Sequence, residues 1–134
     1  MKPIITRMTM EVIGAPKEHV EKALKEVLRK LKEEKEISVI KIEAYECQQM
    51  ENKLWSTFAD IEFKTETLKR VLDICYDYMP GNIEILEPAG IEMDCNDFAN
   101  VINDFLVRLH KYAFVLKKLK TENIYMMKEL EKKE

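Results

Sequence analysis

Between Phe98 and Leu130, side chains recur every seven residues in two interleaved, almost wholly apolar series. Ile102, Leu109, Leu116, Asn123 and Leu130 form one series; Phe98, Phe105, Tyr112, Leu119 and Met126 run four residues ahead of it. Steps of three and four then alternate, and a helix brings such positions onto one stripe. The segment is therefore predicted to be one long helix that packs lengthwise against another.

The flanks of the stripe change along its length. Val101, Leu106, Ala113 and Val115 widen the apolar face at the start, and a face that broad suits the body of a domain. Beyond Lys117 the flanks turn polar at Lys120, Glu122 and Glu129, leaving a thin line suited to a partner helix. The proximal part is expected to pack on the domain, with the distal part available for helix–helix pairing. Asn123 falls on the inner line, where a polar residue can fix register and two-strandedness at some cost in stability. The plainer alternative is that Asn123 marks where the helix frays or leaves the domain.

A chain of 134 residues is long enough to bury an ordinary core, and one domain is the default. Its 46% hydrophobic and 35% charged residues describe a folded, highly charged protein. No stretch reaches the roughly 20 apolar residues that span a membrane. The segment Met1 to Arg7 lacks the apolar core and cleavage site of a signal peptide, so a cytoplasmic location is expected by elimination. Cys47, Cys75 and Cys95 are widely spaced with no CxxC pair, so free thiols are expected rather than a zinc or redox site. Lys and Glu dominate the charges and there are two Gln, a lean towards thermophile usage that eight Met and three Cys oppose.

The net charge is -3, from 22 basic and 25 acidic residues. Before Asp94 the chain holds 14 basic and 18 acidic residues; from Asp94 onward it holds 8 and 7. Neither part generates the basic field of a phosphate-binding protein, which disfavours nucleic acid as a main partner.

Ahead of the long helix, the patterning alternates between strand and helix. Ile4 to Ile13 has the period of a strand, and Gly14-Ala15-Pro16 breaks it. A helix follows to about Lys35, with Val20, Ala23 or Leu24, Val27, Leu28 and Leu31 as its buried stripe. Ile37 to Cys47 is predicted as a second strand, Gln48 to Lys53 as a polar turn and Leu54 to Lys64 as a third strand. Thr65 is placed to cap the next helix, which ends at Pro80-Gly81-Asn82. Ile83 to Leu86 is a short fourth strand, and Asp94 opens the long helix with Asp97 near its positive end.

The order β-α-β-β-α-β-α predicts an α+β protein. Residues 1–93 resemble a ferredoxin-like sandwich, a four-stranded antiparallel sheet with two helices on one face, and 94–134 form the long helix. That fold hosts many functions and licenses none by itself. Strict alternation places Val39, Tyr45, Phe58 and Leu86 on the open face of the sheet, among charges of both signs. Such a patch can be covered by the start of the long helix, join two sheets, or hold a ligand.

No catalytic, cofactor or metal site is read from the residues. His19 and His110 lack a neighbour that would complete a dyad. The spacings Asp73/Asp77 and Asp94/Asp97 fit solvated helix surface and N-terminal capping. Tyr76-Asp77-Tyr78 is expected to pack where the second helix turns into the fourth strand, a functional loop being the alternative. The expectation is a non-enzymatic interaction module that pairs with itself or with another protein's helix through Tyr112, Leu116, Leu119, Asn123, Met126 and Leu130. Two alternatives stand beside it: a regulatory domain holding a small molecule at a dimer interface, and a single-stranded RNA binder. For the latter, Lys53 to Ala59 is a faint echo of the aromatic stacking strand, without its glycines or second exposed aromatic.

Overall fold

The structure is a computed structural model that describes residues 2–132. Two compact units are distinguished, Met1–Ile91 and Glu92–Glu134. Met1, Lys133 and Glu134, which the sequence boundaries 1–93 and 94–134 take in, lie outside the described residues.

The first unit runs β1 (Ile4–Gly14), α1 (Lys17–Glu33), β2 (Ile37–Ala44), β3 (Gln48–Gln49), β4 (Trp55–Thr65), α2 (Leu68–Tyr78) and β5 (Asn82–Glu87). The second is the helix α3 (Cys95–Lys132). The sheet is antiparallel, in the order β2-β4-β1-β5, with β3 paired to the start of β4. It has five strands where the sequence pattern predicts four, because Gln48 and Gln49 pair with Ser56 and Trp55 instead of forming only a turn. Two polar residues carry no periodicity, so alternation could not find this strand.

Alternation in the two central strands builds the core. Ile4, Met8 and Met10 from β1 and Ala59, Ile61 and Phe63 from β4 are buried on one face. Leu24 and Leu31 of α1 and Val71 and Ile74 of α2 close that face in a single cluster. Both helices are amphipathic with a period of 3.6, and burying these stripes outweighs their modest intrinsic stability.

Edge strand β2 departs from simple alternation. Val39 lies opposite Phe63 and Lys41 opposite Glu62, so Ile40 is an extra residue in a bulge and is exposed. The bulge moves Val39 to the core side, where it packs on the cluster with Ile37 and Ile42. Strict alternation places Val39 on the open face; one inserted residue reverses that assignment. Leu86 sits in a second irregularity, between Ile85 opposite Thr6 and Glu87 opposite Ile5, and is half-buried with no cross-strand partner.

Thr67, not Thr65, caps α2: its Oγ1 accepts from the backbone N–H of Arg70 at 3.3 Å. Thr65 is the last residue of β4, and its hydroxyl donates to the Thr67 carbonyl at 3.2 Å. Helix α2 stops at Met79, which takes φ 47° and donates its N–H to the Cys75 carbonyl at 2.9 Å. Among the described residues Glu36, Lys53 and Met79 take positive φ and no glycine does.

The two helices are tied across their ends. The Arg70 guanidinium donates to Glu34 at 2.8 Å and to the Lys35 carbonyl at 2.9 Å, while the Tyr78 hydroxyl donates to the other Glu34 oxygen at 2.8 Å. The Tyr78 hydrogen bond, followed by Arg70, holds the Glu34 carboxyl below its ordinary range against the opposing effect of burial. Tyr78 is pushed up, first by burial and then by its bond to that carboxylate.

Candidate assembly surface on helix α3

Helix α3 begins where the sequence placed it. The Asp94 carboxylate accepts from the Asp97 N–H at 2.8 Å, and the Asp94 carbonyl from the Phe98 N–H at 3.0 Å, satisfying donors that the first turn leaves free. At 1.5 Å per residue its 38 residues extend about 57 Å. No residue of the helix is buried.

The two heptad series fall along one side of this rod. In heptad terms the Ile102 series occupies a and the Phe98 series d. The candidate side chains are all exposed: Leu116 67%, Met126 61% and Leu130 65%, with Tyr112, Leu119 and Asn123 also open. The structure therefore brings the six onto one stripe of one helix. Along its borders, the g positions carry Arg108, Glu122 and Glu129, and Lys120 stands at e. Sequence reasoning missed Val107, Phe114, Ile124, Tyr125 and Met127, which are exposed away from the inner line. Phe114 and Val107 share the f position, so the proximal half has apolar surface on its opposite side as well.

The open face of the sheet is a different kind of surface. Tyr45 and Phe58 lie there and are exposed; Val39 packs on the core side instead, and Leu86 falls in the irregularity of β5. Charges run across the strands in rows: Lys41 opposite Glu62, Glu62 opposite Arg7, and Arg7 opposite Glu84 with a 3.1 Å ion pair. In the next row Asp60 accepts from Thr9 at 2.7 Å and from the Tyr45 hydroxyl at 3.1 Å. The Tyr45 phenol is raised by that bond and by the negative charge of Asp60 and Glu43. Acidic side chains on this face oppose phosphate binding, and Tyr45 is engaged with a carboxylate rather than free to stack on a base.

Other candidates for chemistry remain apart. His19 and His110 are exposed on different units. Asp73 lies 3.9 Å from Arg70 and Asp77 is exposed. The thiols of Cys47, Cys75 and Cys95 are free. Among the described residues no group of three or more His, Cys, Asp or Glu is placed to hold a metal ion. An open hollow of about 400 Å³ lies at the start of α2, between Glu36, Ser38, Lys64 and Arg70, but the Arg70 guanidinium there is committed to Glu34 and Lys35. No helix among the described residues is long and apolar enough to cross a membrane.

The model of one protein family matches residues 5–133, nearly the whole chain and both units. The chain belongs to the MJ0538 family. The match runs through the boundary at Ile91 and so takes in both the sandwich unit and α3. No curated protein and no solved structure matches the chain.

Proposed function

We propose that this protein is a non-enzymatic assembly module that pairs through α3, with a second copy or with a helix of another protein. One observation carries the reading: nine apolar side chains of the a and d series stand exposed along a single stripe of a helix that buries none of its residues. Exposed apolar surface of that extent is costly in water, and a helical partner of matching period removes it. Tyr112, Leu116, Leu119, Asn123, Met126 and Leu130 form the contact. Lys120, Glu122 and Glu129 on its borders bias the choice of partner.

In this reading the sandwich is the rigid body that α3 connects to others. We take its plan to be ferredoxin-like, with β3 as an appended strand. The support is the order β2-β4-β1-β5 with α1 and α2 on the same core face. Three free thiols suit a reducing cytoplasm.

The test is the solution mass of the full chain and of the variant Leu116→Asp/Leu119→Asp, measured by light scattering across concentration. The variant is expected to lose the assembly formed by the native chain while its near-ultraviolet circular dichroism, dominated by the sandwich aromatics, is preserved. Retention of the native mass by the variant would place the contact elsewhere and overturn the reading.

A further inference from the structure

We infer that α3 carries a second docking line on the side away from the heptad stripe, and that this line takes an acidic amphipathic helix of another protein. The two faces are separate, so the inference does not rest on the assembly role proposed above.

The line occupies the c and f positions of the same heptads. Val107, Lys111, Phe114, Lys118, Thr121, Tyr125 and Lys128 follow one another in steps of four and three. That spacing keeps them on one side of the helix over about 32 Å. All seven are exposed, and Phe114, at 69%, is the most exposed large apolar side chain among the described residues. Thr121 adds no charge, and its hydroxyl is turned back to the Lys117 carbonyl at 2.9 Å.

Positive charge on this line is unopposed. Between Asp104 and Glu131 the acidic residues are Glu122 and Glu129, and both stand at g, off the line. Among the described residues, Lys111, Lys118 and Lys128 take part in no ion pair. A solvated face accounts for the lysines, but not for three large apolar side chains set regularly among them.

The alternation selects the occupant. A bilayer takes up helices whose apolar side chains are contiguous and whose charges lie opposite them. Here the lysines stand on the midline itself, between the side chains that would have to insert. Nucleic acid is held through cations matched to phosphates, and Val107 and Phe114 would be pressed against a charged backbone. A second copy presenting the same line would set lysine against lysine. A helix lying lengthwise, with Glu or Asp opposite the lysines and apolar side chains opposite Val107, Phe114 and Tyr125, meets both demands.

The test is fluorescence anisotropy on the full chain. The probe is a fluorescein-labelled synthetic helix of about 28 residues, with Leu and Glu alternating along one line of four-and-three steps. Its twin carries Lys in place of Glu. The acidic probe is expected to bind and the twin to stay free. Lys111→Gln/Lys118→Gln is expected to weaken binding about fivefold and Phe114→Ala about tenfold. Leu116→Asp/Leu119→Asp is expected to leave it unchanged.

Failure of the acidic probe to bind, or equal binding of the twin, overturns the inference. Tighter binding of equimolar phosphatidylglycerol–phosphatidylcholine vesicles, or of an oligothymidylate, overturns the assignment to a protein partner. Loss of binding in the Leu116→Asp/Leu119→Asp chain alone seats the probe on the heptad stripe. That result overturns the second line and leaves the assembly role standing.

Discussion

The Tyr78 hydroxyl donates to Glu34 at 2.8 Å, joining the end of α2 to the residue that ends α1 across 44 positions of sequence. Tyr78→Phe keeps the ring that packs on the core and removes only this bond. It is expected to cost about 1 kcal/mol at neutral pH, read as a lower urea midpoint. Because the Glu34 carboxyl is depressed in the folded state, its contribution is present above the unfolded carboxylate value and is lost as pH falls through the folded one. The gap between native and variant should therefore narrow on acidification. A gap that is constant from pH 7 to pH 3 would count against the coupling.

Met79 takes a left-handed conformation at the end of α2 while its side chain is 67% exposed, so little packing is at stake. Glycine is the usual residue at such a position. Met79→Gly is expected to raise stability by about 0.5–1 kcal/mol, the relief of backbone strain exceeding the added freedom of the unfolded chain. A decrease in the denaturant midpoint would refute it.

Thr6 is fully buried on the core face between Phe63 and Ile85, and its hydroxyl has no hydrogen-bond partner. Thr6→Val replaces the hydroxyl with a methyl group of similar shape. An increase of about 1 kcal/mol in unfolding free energy is expected, since the desolvation penalty disappears. If the hydroxyl had an essential role, the variant would instead melt lower.

The bulge at Ile40 separates Val39 from Lys41 without either losing its partner on β4. Deleting Ile40 lets the two stand consecutively opposite Phe63 and Glu62, with Val39 still on the core side. The deletion is expected to leave the sandwich folded within about 1 kcal/mol of the native chain, while the straightened β2 edge becomes more prone to pair with other chains. Loss of cooperative unfolding in the deleted chain would show that the bulge is required.

These residues also show what was legible in the sequence. Period-two alternation in Ile4 to Ile13 and Leu54 to Lys64 carried enough signal to place the central strands, whose buried and open faces came out as expected. The same rule failed at Val39 and Ile40, because adjacent apolar residues look alike whichever of them is the inserted one. The cap at Thr67 in place of Thr65 turned on the strand continuing one residue past Lys64, where Thr65 pairs with Ile4 of β1 and Ile37 of β2, a tertiary pairing that local composition does not report. The Glu34–Arg70–Tyr78 tie joins residues far apart in the chain and left no local trace. Of the candidate surface, the α3 stripe was visible in full, since all its members lie on one helix. The sheet patch was not, because it depended on register in both edge strands.

The rows of charge across the open face bear on how the sheet finds its alignment. A slip of one residue between β1 and β4 exchanges their faces, and the apolar core forbids it. A slip of two residues keeps every apolar side chain on its proper face, so the core alone discriminates against it weakly. Such a slip in one direction would bring Arg7 opposite Lys64 and Glu11 opposite Asp60, where now Arg7 stands opposite Glu62 and Glu11 opposite Phe58. Like charges directly opposed repel. In that direction the solvent-facing side of the sheet thereby proofreads a misalignment that the buried side lets through.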